Sequence, residues 1–172
     1  MKKKIYLSGP DRLLKNAKEV FEQKRALCEK YGFELLEYPE EVYKIKDTFE
    51  NSRAVAEKRM ELTKECDIVI ADTRDFRSYL EPYSEVALEM GMAYALEKKI
   101  YSYMPDTRVC CERYSGETHY NEAMAQMVDE NDVGFEPGPL NLMLEFSSTI
   151  VKGNFEDALK KAAEDLQKGD LN

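Results

Sequence analysis

The sequence predicts an α/β protein built on a parallel sheet, and three observations carry that prediction. Short apolar runs alternate with amphipathic stretches along the whole chain, the pattern of repeated β-α units rather than of consecutive hairpins. The clearest run, Asp67-Ile-Val-Ile-Ala-Asp72, sets four consecutive apolar residues between two aspartates, as a strand covered on both faces requires. At 172 residues the chain is long enough to bury a core and too short for two full-sized domains, so a single domain over 1–172 is expected.

Taken in order, Lys3 to Ser8 reads as a first strand stopped by Gly9-Pro10. Lys15 to Tyr31 reads as the first helix, with Ala17, Val20, Phe21, Ala26 and Cys28 at near-helical spacing. Phe33 to Tyr38 is a weaker second strand, and Asp47-Thr-Phe-Glu50 has the form of a capping box opening a helix to about Glu65. After the strand Asp67 to Asp72 comes a polar loop, Thr73 to Pro82, then a helix from about Tyr83 to Glu97 and a strand from Lys99 to Tyr103. The next stretch predicts a loop carrying two cysteines, a helix from Thr118 to Glu130 and a turn-rich Gly134 to Pro139. Ser148 to Val151 supplies a fifth strand, and Asn154 caps a last helix with Phe155, Ala158, Leu159, Ala162 and Leu166 on one face. Five such strands predict the flavodoxin-like order 2-1-3-4-5, a doubly wound three-layer sandwich whose ligands bind outside the carboxyl ends of strands one and three.

Composition narrows the function classes. Twenty-five basic against thirty-four acidic residues leave a net charge of −9, a field that opposes binding to a nucleic acid polymer but not to a small nucleoside. No apolar run approaches the ~20 residues that span a bilayer, and Met-Lys-Lys-Lys leads into a short strand rather than a signal core, so no membrane association and a cytoplasmic location are expected. The four cysteines, Cys28, Cys66, Cys110 and Cys111, form no CxxC, and His119 is the sole histidine. Free thiols and no metal are therefore expected. Neither GxGxxG nor GxxxxGK[ST] occurs, which leaves dinucleotide and ATP cofactors without support.

Chemistry concentrates at two carboxylates. Glu89 is the only charged residue in Val86 to Leu96. On a helix three of its four neighbours at i±3 and i±4 are apolar. Two readings stay open: a lone charge at the border of an apolar stripe with its carboxylate in water, or a partly desolvated carboxylate suited to nucleophilic or acid/base work. Asp72 closes the third strand, and Tyr6, Ser8 and Gly9 close the first. The predicted sheet order makes these strands neighbours, although strand-end aspartates are more often caps and Tyr6 would serve equally well as a packed strand residue. Asn141 interrupts the apolar segment Leu140 to Phe146, which would otherwise read as core.

These residues resemble the nucleoside 2-deoxyribosyltransferase family, in the branch accepting purines and pyrimidines. The resemblance rests on Ile5-Tyr-Leu-Ser-Gly-Pro10, on Cys66 to Asp72 followed by Asp75-Phe-Arg77, on Glu81-Pro82 leading to Glu89-Met-Gly-Met-Ala93, and on Pro139 to Leu144 and Phe155 to Leu159. It implies a ping-pong transfer of 2-deoxyribose between bases in nucleoside salvage, without a cofactor. Glu89 would be the nucleophile, Tyr6 the residue that holds it and Asp72 the acid facing the base. Ser8, Gly9 and Tyr83 would bind substrate, and Asn141 and Met143 would complete a neighbouring subunit's sugar pocket in a homo-oligomer. One stretch departs from the family pattern: Tyr83-Ser84-Glu85-Val86 stands where many members carry an Asp, a small residue and Gly-Thr. Gly116 to Asp132 also matches poorly, as a lid or an insertion would. Two alternatives therefore stand beside transfer. One is an N-glycosidase acting on deoxynucleosides or their 5′-monophosphates, although only Arg74, Arg77 and Arg108 adjoin the matching pieces as phosphate donors. The other is a non-catalytic nucleoside-binding module.

Overall fold

The structure, a computed structural model, describes residues 2–38, 49–77 and 80–169. Its central sheet comprises β1 (Lys4–Ser8), β2 (Glu34–Leu35), β3 (Ile68–Asp72), β4 (Lys99–Met104) and β7 (Thr149–Lys152), all parallel, in the order β2-β1-β3-β4-β7. This is the predicted 2-1-3-4-5 arrangement, its fifth position filled after an antiparallel pair, β5 (Thr118–Asn121) and β6 (Gln126–Asp129), interposed in the chain. All five residues of β3 are buried, consistent with a central strand covered on both faces. The helices α1 (Ala17–Lys30) and α6 (Phe155–Lys168) pack together on one face, and α2 (Phe49–Glu65) and α3 (Ser84–Ala95) on the other. The short helices α4 (Cys110–Arg113) and α5 (Leu142–Ser147) lie beyond β4, and α5 rests against α3. No helix of the described residues is long and apolar enough to cross a membrane.

The predicted helix over Thr118 to Glu130 is corrected: this segment is the β5–β6 hairpin. Tyr120, Ala123, Met124, Met127 and Val128 fall at helical spacing, but Asn121 turns the chain by accepting from the amides of Ala123 and Met124 at 3.0 and 3.1 Å. A side chain that satisfies backbone donors locally in this way competes with helix formation. The second strand pairs only through Glu34 and Leu35, shorter than the apolar pattern implied. Asp47 and Thr48 of the predicted capping box lie outside the described residues; Phe49 and Glu50 open α2.

Two local devices position the functional edge of the sheet. Gly9 follows β1 where a Cβ would meet Asp72 Cβ at 3.1 Å, so the close approach of β1's exit to the end of β3 favours a residue without a side chain. At the far end of the chain Asn154 accepts from the amides of Glu156 and Asp157, and Asp157 accepts from the Asn154 amide, a complete capping box. Phe155, Ala158, Leu159 and Ala162 follow as the buried stripe of α6, whereas Leu166 lies at its partly exposed margin. Asn154→Ala should lower stability by about 1 kcal/mol, read as a lower urea midpoint at unchanged slope, while Asn154→Ser should stay close to the parent.

Candidate active site

The side-chain period of a strand is two, so Tyr6 and Ser8 share a face of β1, the face that α3 covers. Both reach Glu89. Tyr6 donates to Glu89 Oε1 at 2.6 Å and Ser8 donates to Oε2 at 2.6 Å. Glu89 itself is 3% exposed and stands among Val86, Met90 and Ala93, all buried. The carboxylate is therefore desolvated rather than at the watery border of its stripe, and it persists there because both oxygens accept hydrogen bonds.

A third donor comes from a residue the sequence reading did not single out. Arg59 of α2, 4% exposed, donates from Nε to Glu89 Oε1 at 2.5 Å and from Nη1 to Glu85. It sits at i+4 from Val55 and i−3 from Leu62, both buried, so it interrupts the apolar stripe of α2 as Glu89 interrupts that of α3. Two lone charges of opposite sign in two apolar stripes are the signal that could have paired them. Glu85 in turn accepts from Arg12 at 3.3 Å, and Arg12 also donates to the Tyr83 hydroxyl at 3.2 Å. The half-buried Tyr83 packs against Phe76, with ring centroids 4.9 Å apart.

Electrostatics follow from burial and pairing. Burial, then Tyr38 and Glu89, holds the Tyr6 phenol well above its ordinary value, so it remains a donor. Tyr38, whose hydroxyl lies 2.9 Å from that of Tyr6, is raised to about 12, chiefly by burial. Desolvation works to lower the pKa of Arg59, but its bond and charge contact with Glu89 outweigh this and raise it. Burial likewise pushes Glu85 up, but the Tyr83 hydroxyl and the cations Arg59 and Arg12 bring it below the usual carboxylate range.

Asp72 ends β3, buried at the same carboxyl edge, and Arg74 grips it with Nε at 2.8 Å and Nη2 at 2.6 Å. The register Ser8↔Ala71 sets Asp72 on the opposite sheet face from Tyr6 and Ser8, near Tyr103, whose phenol is raised by burial and by the charges of Asp72 and Asp11. The two carboxylates thus flank the β1/β3 edge from its two faces. Asn141 is exposed and caps α5 through its side chain, which accepts from the Leu144 amide at 3.3 Å, and Met143 is 82% exposed. No contact within the chain brings either to Glu89 among the described residues. A cleft of about 590 Å³ opens beside Glu89 between the segment after β1, α2 and α3, lined among others by Arg12, Arg59, Glu85, Leu88 and Met92. That volume suits a small organic ligand.

The Arg59–Glu89 pair is testable by itself. Arg59→Met should cost about 3–5 kcal/mol because it strands a buried carboxylate. Adding Glu89→Gln should recover much of that loss in a double-mutant cycle read by urea unfolding, since the uncompensated charge is then gone.

Comparison with known proteins places this geometry in a family. The model of the nucleoside 2-deoxyribosyltransferase family matches residues 5–143, a span that holds Tyr6, Ser8, Arg59, Asp72 and Glu89. A 2-deoxyribosyltransferase from Leishmania mexicana is similar over 94% of this chain and 97% of its own, at 28% identity and a TM-score of 0.71. A conserved protein from Enterococcus faecalis shares the fold over 98% of this chain and 99% of its own, at 19% identity and a TM-score of 0.53. A 2-deoxyribosyltransferase from Bacillus psychrosaccharolyticus aligns over 73% of this chain and 98% of its own, at 17% identity and a TM-score of 0.45. No curated protein sequence matches. With the family model covering most of the chain and the flavodoxin-like sheet beneath it, this protein belongs to the nucleoside 2-deoxyribosyltransferase family.

Proposed function

We propose that the protein transfers 2-deoxyribose between nucleobases through a covalent sugar ester on Glu89. The observation that carries this reading is the buried Glu89 carboxylate at the wall of the cleft, held from two sides by Tyr6 and Ser8. A carboxylate fixed in this way can attack C1′ of a 2′-deoxynucleoside as the C1′–N bond breaks. The bonding pair leaves on the base, and an ester bond forms between C1′ and a Glu89 oxygen. Oε2 accepts only from Ser8 among the described residues, so it is the freer oxygen for attack. A second base then attacks C1′, and Glu89 departs as a carboxylate.

Asp72 serves the leaving base, which departs poorly as an anion and better when hydrogen-bonded or protonated. Arg74 is half exposed and can yield part of its hold when a base arrives. In this reading Ser8 and Gly9 at the end of β1, and Tyr83 beside Arg12, contact the substrate, and the crowding of Tyr6 and Glu89 at the sugar's 2′ face favours deoxyribosides over ribosides.

The family's homo-oligomeric arrangement, with Asn141 and Met143 reaching into a neighbouring site, is supported by what α5 and α3 leave uncovered. Met143, Phe146 at 78% exposure and Leu142 on α5 and Tyr94 on α3 are exposed apolar residues on two helices in contact. A patch of that kind marks an interaction surface.

The same geometry admits a second reading, hydrolysis of the ester by water, without favouring it. Arg59 on Oε1 stabilises Glu89 as a departing carboxylate, which eases the second step for any acceptor, water included.

Incubation with deoxyinosine, with and without adenine, separates these readings by chromatography of the products. Transfer yields deoxyadenosine and hypoxanthine only when adenine is present, hydrolysis yields hypoxanthine in both, and a binding module yields neither. Glu89→Ala should keep its circular dichroism and lose at least ~10²-fold in rate; a fully active variant would overturn the mechanism. The shared site predicts complementation: mixed Glu89→Ala and Asn141→Ser subunits should regain part of the activity each lacks. Serine still caps α5, so no recovery after demonstrated subunit exchange would place Asn141 in the service of its own chain.

A further inference from the structure

The segment that leads into α5 is held by α4, a helix of only four residues. Residues 135–140 form no helix or strand, yet they must deliver Asn141 and Met143 in a fixed direction if those side chains are to act outside their own chain. An irregular segment keeps a direction only when its polar groups and side chains are tied elsewhere. The end of α4 supplies three such ties. The Cys110 amide donates to the Gly138 carbonyl at 3.0 Å, Arg113 Nη2 donates to the Pro139 carbonyl, and the Tyr114 ring packs on Phe135 with centroids 5.2 Å apart. Arg113 does the most. Its side chain is 6% exposed, and it also donates from Nε to the Arg108 carbonyl at 3.2 Å and from Nη1 to Asp75, in the loop after β3, at 3.1 Å. The planar fork of a guanidinium fixes the relative positions of its acceptors as a flexible ammonium does not.

We propose that Arg113 is a positioning residue that acts across the subunit boundary: by anchoring Pro139 it aims Asn141 and Met143 into the neighbouring subunit's site. It serves that site rather than the one built on its own Glu89. The inference rests on the shared site proposed above. Two of its bonds point to different sites, and their strengths decide between them. Asp75, beside the base-side loop of the same chain, is 40% exposed, and an ion pair so open to water adds little. The bond to Pro139 is charge-assisted and partly buried, and so is the firmer of the two. Beyond Pro139 the chain has little slack. Leu140 is buried and its amide donates to Glu145 at 3.4 Å, and Asn141 follows directly as the cap of α5. A tilt at Pro139 is therefore passed on to Asn141 and, through α5, to Met143. Displacing a substrate-contacting group by about 1 Å can cost up to ~10²-fold in rate.

The test is pairwise subunit mixing, read as hypoxanthine released from deoxyinosine with adenine present, which reports transfer and hydrolysis alike. Arg113→Gln should keep its circular dichroism, lose about tenfold or more in rate, and divide that loss between kcat and KM as Asn141→Ser does. Arg113→Lys, which keeps a cation at the turn, should retain part of the activity. Mixed with Glu89→Ala, Arg113→Gln should regain activity, because the hybrid's working site takes Glu89 from one chain and a correctly aimed Asn141 from the other. Mixed with Asn141→Ser it should regain none, because both variants spoil the same donated segment. The reverse pattern, recovery with Asn141→Ser and none with Glu89→Ala, assigns Arg113 to its own chain's site and overturns the proposal. Recovery with both, recovery with neither, or a fully active Arg113→Gln overturns it as well. If Arg113→Gln fails to fold, the same mixing with Arg113→Lys decides by the same pattern. The pair Glu89→Ala and Asn141→Ser separates this failure from that of the shared site. No recovery in that pair after demonstrated exchange removes the shared site itself, whereas recovery there beside a failed Arg113 pattern removes only the role of Arg113.

Discussion

Everything at the functional edge depends on holding one carboxylate out of water. Glu89 lies in a helix whose neighbouring residues are core, and an ionised carboxyl in such surroundings is stable only when it is paired and hydrogen-bonded. Its donors come from two other elements, Tyr6 and Ser8 from β1 and Arg59 from α2. The requirement to satisfy one group therefore fixes the mutual positions of a strand and two helices. It also explains why Tyr6 is fully buried with its hydroxyl shared between Glu89 and Tyr38: a phenylalanine there would fill the volume but leave a carboxylate oxygen with one donor fewer.

Charge is organised locally against the grain of the whole chain. Acidic residues dominate the composition, yet the cleft wall gathers Arg12, Lys15 and Lys18 from the segment after β1 and Arg59 from α2. Local potential in a concave, partly desolvated site is set by the nearest charges, since those farther off are screened over about 8–10 Å of salt solution. An acidic protein can thus present a cationic pocket, and net charge speaks to polymeric partners more than to a small ligand.

The contrast between what was legible and what was not has the same physical root. Parallel strands announce themselves because both faces are covered: Asp67 to Asp72 reads as a strand from four apolar residues alone, and the order of the sheet follows from the alternation of elements. Glu89, Asp72, Tyr6 and Ser8 could be singled out because each breaks or ends an apolar run. The hairpin at Thr118 to Asp129 is hidden in the sequence because Tyr120, Ala123, Met124, Met127 and Val128 fall at helical spacing; its decisive feature is a side-chain turn at Asn121. Arg59 is hard to single out because α2 is charged on most of its surface; only its spacing between Val55 and Leu62 marks it, and that mark gains meaning once its partner on α3 is known. Arg12 and Glu85 lie 73 residues apart, and nothing local in either segment specifies their pairing.

In the proposed mechanism the Arg59 contact also bears on how the ester's fate is decided. A cation on the attacking carboxylate lowers its energy before attack and again as it leaves, so it slows the first step and eases the second to a similar degree. It cannot by itself select between a base and water as acceptor, because Glu89 departs in the same form for both. Selection must then come from what reaches C1′ on the side away from Glu89, where Asp72 and Arg74 close the β3 end of the edge. In the proposed reaction a planar base that accepts from Arg74 and exchanges a proton with Asp72 would be held there for attack, whereas water would gain little from the same pair. Under the proposed mechanism, with the carboxylate chemistry at Glu89 common to both outcomes, discrimination between transfer and hydrolysis turns on the bidentate grip of Arg74 on Asp72.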